Sequence, residues 1–214
     1  MINILRITID NLKKNDETDQ WEYTKNIDFD GHIEIDGDLG WVKFAAGISA
    51  KGHIWSKAGT GIKAGRGIKA GRGIKAGTGI EAGTGIKAGD GIEAGRGIKA
   101  GWGIEAGTGI KAGDGIEAGR GIKAGTGIEA GTGIEAGWGI KAGRGIKAGT
   151  GIEAGTGIKA GDGIVSFYTG GIIAKWVIAI RVAVGFNLKE TRIQIIKAKL
   201  RGNTKVILGK VEAP

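Results

Sequence analysis

From Ile62 to Ile164 an isoleucine stands at every sixth position, eighteen times without a slip. Each unit reads Ile, Lys or Glu, Ala, Gly, a variable residue, Gly, as in "GWGIEAGTGIKAGDGIEAGRGIKAG" over residues 101–125. A helix needs apolar residues at a 3.6 period, which six fits badly, and two glycines per unit oppose it by roughly 2 kcal/mol. The triplet Ile-Lys-Ala fits a short strand instead, with apolar and small residues inward and the charge outward. The Gly-x-Gly that follows suits a corner, where glycine's wide choice of backbone angles is the expected reason for its presence. One hexad buries too little apolar surface to offset the ordering of its own backbone, so the units must stack. The pattern predicts an all-β, single-stranded β-solenoid of hexapeptide repeats.

The charged slot sets the length of a turn. Stacked coils bring each outward side chain to about 4.8 Å from its counterpart, where like charges oppose each other. With two hexads per turn, the Lys/Glu slots from Lys63 to Lys159 give five opposite-charge and ten like-charge pairs; with four hexads they give four and nine. With three hexads the balance inverts, to nine opposite and five like. The variable slot agrees, because at this spacing Arg72, Arg96 and Arg144 each precede an aspartate, at Asp90, Asp114 and Asp162. It also puts Trp102, Arg120 and Trp138 in one column, an arginine between two indoles. The expected body is therefore about six regular triangular coils of three hexads, roughly 29 Å long.

Outside the array the pattern decays, and a solenoid with open ends needs caps. Residues 1–56 read as an N-terminal β cap. Within it "ILRITID" and "HIEID" alternate as strands around a polar "KKNDETDQ" loop, and residues 40–56 form an imperfect first coil. Residues 57–164 are the repeat body, and residues 165–214 a C-terminal β cap. In that cap Ile172, Ile178 and Val184 resume the spacing of six, and "AKWVIAIRVAVGFNL" alternates as a strand or strand pair over the open end. The stretch after it reads as a hairpin turning at Gly202-Asn203. The three segments carry net charges of −4, +6 and +7, which together make +9.

The array resembles the hexapeptide-repeat, left-handed parallel β-helix proteins, whose coils also have three six-residue sides with an aliphatic residue at each. That resemblance implies a left-handed winding. One departure is that Ala64 follows Ile62 by two positions, where that family sets its small residue two before the aliphatic. Enzymes of the family are often acyltransferases with a groove histidine, or carbonic anhydrases with three zinc-binding histidines. This chain has His32 and His53 only, both outside the regular array, and no loop interrupts the eighteen hexads. A non-enzymatic protein without cofactor or metal site is the expectation. Cysteine is absent, which excludes disulfides and thiol chemistry.

Three binding functions fit such a prism. Trp102, Arg120 and Trp138 form the one exterior feature that stacking does not require, and Trp/Arg clusters anchor protein interfaces. The leading expectation is a rigid binding or scaffold protein that engages or blocks a protein partner, with self-association open to a chain of acidic head and basic tail. Runs of the "GIKAG" type also resemble bacterial and phage reading frames, which implies an inhibitor of a host protein. The alternative is nucleic acid held by the tail, through Lys197, Lys199, Arg201, Lys205 and Lys210, with Lys189 and Arg192 nearby. Ice binding through threonine ladders is a lesser option, because charges interrupt every threonine column. The start lacks the apolar core of a signal peptide, and no run of about 18 apolar residues exists, so a cytoplasmic location without membrane partners is expected.

Overall fold

The computed structural model describes residues 3–167, 171–179, 181–184, 195–208 and 210–212. The chain winds into a parallel β-solenoid of about nine turns, with three strands in each coil and 18 residues per coil through the array. We call its sides the first face (strands Thr60–Ala64 through Gly151–Ala154), the second face (Ile68–Ala70 through Gly157–Ala160) and the third face (Ile74–Ala76 through Gly163–Ser166). On each face, Ile pairs with Ile and Ala with Ala one coil away, as in Ile104↔Ile122 and Ala106↔Ala124. Isoleucine and alanine fill the interior, every array isoleucine being 2% exposed or less.

The corners are as ordered as the strands. From Thr78 to Asp162 each variable residue donates its N–H to the carbonyl of the variable residue one coil before, as Trp138 does to Arg120 at 2.9 Å. The glycine preceding it donates likewise, Gly107 to Ala88 at 3.1 Å. This overturns the conformational reason for glycine at the corners. Among the described glycines only Gly40, Gly59, Gly171 and Gly202 have positive φ, and of these only Gly59, at the first corner, lies within residues 57–164. The first glycine of each corner is needed for close approach: a Cβ on Gly107 would collide with the Gly89 carbonyl oxygen, and the same collision recurs along the array. The second glycine is under less pressure. A Cβ on Gly109 would lie 3.4 Å from the Gly127 carbonyl, an ordinary contact. The corresponding distances elsewhere run from 3.1 Å at Gly103 to 3.5 Å at Gly127, so the next coil's carbonyl crowds some second glycines but collides with none.

The solenoid runs on past the perfect repeats. Val42, Ile48 and Ile54 stack under Ile62, Ile68 and Ile74, and Ile27 and Ile33 stack in turn under Ile48 and Ile54, in coils slightly longer than those of the array. The polar segment near the start forms a small antiparallel hairpin, Lys13–Asn15 with Gln20–Tyr23. Both borders of the array share one device. Ser56 and Ser166 occupy the alanine slot just before an eight-residue step, and their hydroxyls donate to the carbonyls of Thr60 and Thr150. The longer corners then use Gly59 and Gly171 at φ of 74° and 66°.

Three expectations for the C-terminal segment are corrected. Residues inward on successive faces are Ile172, Val177 and Val182, five apart, so Val177 is fully buried and Ile178 is not. The corners there are one residue shorter, which shifts the phase. Gly171–Ile178 and Arg181–Val184 extend the stack as further parallel rungs and do not lie across its end. Gly202, at φ 64°, does turn the chain, but no hairpin results. Ile195–Leu200 pairs in parallel with Gly171–Ile178, and Lys205–Leu208 with Arg181–Val184, so the turn is another solenoid corner. Ile180, Phe186 and Leu188 lie outside the described residues.

The two corner glycines separate experimentally. Gly107→Ala is expected to cost about 2 kcal/mol or more, because carbonyl and Cβ must be forced apart. Gly109→Ala should stay within about 1 kcal/mol of the parent, helped by a less flexible unfolded chain. Urea unfolding of the two variants measures the difference, and equal costs would refute the close-approach argument.

Candidate functional site

Trp102, Arg120 and Trp138 lie one above another on the corner between the first and second faces. Backbone hydrogen bonds hold the column, Arg120 N–H to the Trp102 carbonyl at 2.6 Å and Trp138 N–H to the Arg120 carbonyl at 2.9 Å. The guanidinium carbon of Arg120 sits 4.9 Å from the Trp102 ring centre and 5.5 Å from that of Trp138. The indoles remain 55% and 61% exposed, so the sandwich orders two large aromatic faces without burying them. One coil beyond Trp138, Thr156 donates both its N–H and its hydroxyl to the Trp138 carbonyl.

Trp102 and Arg120 of this column, with Thr84 and Thr156, form one wall of an open groove along the second face, with the outward charges Lys87, Glu105, Lys123 and Lys141 as the other wall and glycines as its floor. Glu105 lies between Lys87 and Lys123, each 3.1 Å away. Hydrogen bonds from Lys123, then Lys87, hold its carboxyl below the ordinary value of 4.5. Trp176 closes one end of the groove by lying against Gly157, where a Cβ would run into the ring. On the first face Trp41 lies similarly over Gly61 and Gly79. The second corner glycines thus floor grooves into which the chain lays its own aromatic rings.

The tail cations do not gather into one patch. Strand pairing puts the backbones of Lys197 and Lys210 on the first face, and Lys199 on the second beside Trp176. Lys205 belongs to the third face, paired with Arg181. The side chains of Lys197 and Lys210, and all of Lys189 and Arg192, lie outside the described residues. Arg201 is brought into a contact that spacing did not reveal, its guanidinium 5.5 Å from the Trp176 ring centre. Arg72/Asp90, Arg96/Asp114 and Arg144/Asp162 stack in register, as hydrogen bonds such as Asp90 N–H to the Arg72 carbonyl show. None of the three closes to an ion pair.

Comparison with protein-family models, with curated proteins and with solved structures finds no match. The geometry alone therefore carries the functional reading. His32 and His53 stack with ring centres 5.2 Å apart. Their Nδ1 atoms accept backbone N–H groups of His53 and Gly73 in the next coils, at 3.1 and 3.0 Å. Both imidazoles thereby serve coil stacking. No group of three or more potential metal ligands converges among the described residues. No helix among them is long and apolar enough to cross a membrane.

The Glu105 ion pairs make a pH prediction. A carboxylate whose folded pKa is depressed stabilises the fold above its unfolded value and loses that effect as pH falls through the folded value. The stability gap between wild type and Glu105→Gln is expected to be constant at neutral pH and to close below 4.5. Urea titrations at several pH values measure it, and a gap persisting in acid would contradict the assignment.

Proposed function

We propose that the protein is a non-catalytic binding module, a rigid prism that engages a protein partner through its first–second corner. The observation carrying this reading is the Trp102–Arg120–Trp138 column. A corner needs only glycine before the variable residue, yet two indoles and a guanidinium stand there in fixed register, largely open to solvent. Such preordered aromatic and arginine side chains lose little conformational entropy on binding and bury large areas, the profile of an interface anchor. Blocking of a host protein, in a host cytoplasm, is the form of this activity implied by the resemblance to phage reading frames. A left-handed winding, implied by the resemblance to hexapeptide-repeat proteins, belongs to the same reading.

A second reading rests on a separate observation. Arg201 stacked on Trp176, with exposed Lys199 beside it, joins cationic and aromatic groups in the way single-stranded nucleic acid is held. The distribution of the other tail cations over different faces favours the first reading.

One experiment separates them. Tagged wild type and the double variant Trp102→Ala/Trp138→Ala are used to capture partners from lysate, with and without nuclease, and bound proteins are identified by mass spectrometry. The expected result is a protein retained after nuclease and reduced by about tenfold or more with the double variant. Capture abolished by nuclease, and lost in Lys199→Glu/Arg201→Glu, would replace this reading with the nucleic-acid one.

A further inference from the structure

The register distributes charge unequally among the three faces. On the third face the outward slots alternate without fault through the array, Lys75, Glu93, Lys111, Glu129, Lys147. On the second face they run Lys69, Lys87, Glu105, Lys123, Lys141, Lys159. On the first they run Lys63, Glu81, Lys99, Glu117, Glu135, Glu153. All five like-charge steps thus fall on these two faces; Lys123–Lys141–Lys159 and Glu117–Glu135–Glu153 stack in the same coils, and only Lys69–Lys87 has no acidic counterpart. Among the described residues Lys69, Lys141, Lys159, Glu135 and Glu153 have no ion pair, and all are exposed. A monomer gains nothing from stacking like charges about 4.8 Å apart.

We propose that the protein associates laterally with further copies of itself, the second face of one chain seated on the first face of the next, with axes parallel and coils level. The two faces are complementary coil by coil. Lys87 meets Glu81, Glu105 meets Lys99, Lys123 meets Glu117, Lys141 meets Glu135 and Lys159 meets Glu153; only Lys69 meets a like charge, Lys63. Turning one chain end for end leaves three of these six levels matched, and the third face matches the first at one level of five. The strand spacing is the same in both copies, so a match at one coil holds at every coil. Both faces are floored by glycines, and Trp41 and Trp176, on the neighbouring rungs, show that these floors admit flat side chains. In this seating the first–second corners of neighbouring chains share an edge, so Trp102 and Trp138 lie at the seam. The contact uses different faces of the two chains and leaves each with a free complementary face, so association is open to further copies.

Sedimentation velocity on the full chain tests this. At about 50 mM salt the wild type is expected to associate as its concentration rises, and to dissociate at about 500 mM, where charges are screened within a few ångströms. Lys141→Glu/Lys159→Glu and Glu135→Lys/Glu153→Lys should each weaken association by about tenfold or more. An equimolar mixture of the two variants should associate again, because the acidic faces of one meet the basic faces of the other. Each variant removes one like-charge step from its own column, so at about 500 mM salt, where all forms are monomeric, its melting temperature should equal or exceed that of the wild type, which separates lost assembly from lost folding. A wild type that is monomeric at every concentration in low salt, or variants that associate unchanged, or a mixture that stays monomeric, would overturn the proposal. So would a monomeric wild type that binds a labelled single-stranded oligonucleotide, with binding lost in the lysine variant alone, because that result assigns the lysine face to a polyanion.

Discussion

The parallel hydrogen bonding of one coil to the next, carried through the corners as well as the strands, is the constraint on which this molecule is built. A strand pair tolerates any side chain on its outer surface. A corner that keeps the same coil spacing brings backbone against backbone, and the Gly89 carbonyl occupies the space a Cβ on Gly107 would need. The first glycine of each hexad follows from that contact, and the coil length follows from the number of such corners. Where corners lengthen, at Gly59 and Gly171, the left-handed backbone angles that glycine permits do come into play.

Stacking in register turns sequence into columns. Whatever stands at one position meets its equivalent in the next coil, so each residue type is tested against itself. Isoleucine and alanine pass this test in the interior. Lysine and glutamate pass it by alternating, as in Lys63–Glu81 at 3.1 Å and Lys99–Glu117 at 2.9 Å. The acidic N-terminal coils solve the problem similarly, with Glu22, Asp30 and Asp36 each bonded to a lysine of the following coil. Arg120 between two indoles is a third solution, and the nitrogen-to-backbone bonds of His32 and His53 a fourth.

Much of this was legible in the chain because period and register are linear properties. Charge matching alone chose three hexads per coil, and the Trp102–Arg120–Trp138 column followed from it. What escaped depended on space around the backbone or on irregular steps. The close approach that demands the first corner glycine is hidden because a hexad seen singly gives no sign of the carbonyl lying opposite it. The inward role passed from Ile178 to Val177 because two shortened corners changed the phase, and the hydrophobic run there fits either spacing. The hairpin assigned to Gly202-Asn203 failed because a turn signal does not say whether the chain doubles back or rounds a corner. The Trp176–Arg201 contact lies across a strand pairing with a register shift between Ile173 and Trp176, which no fixed period anticipates.

The three-fold corner geometry also limits how the gene for such a protein can change length. Near-identical repeats invite slippage during replication, and the unit that slips most easily is a single hexad. Adding or deleting one hexad would leave the core intact, since every side of the prism accepts Ile and Ala. It would, however, rotate all later residues by one face relative to the earlier ones, breaking the charge columns at that point and, where it falls between them, splitting Trp102 from Trp138. Only changes by whole coils, three hexads at a time, preserve both. The array, eighteen hexads long, contains a whole number of coils. The reading frame of this structure is in effect counted in turns, and the exterior, not the core, enforces the count.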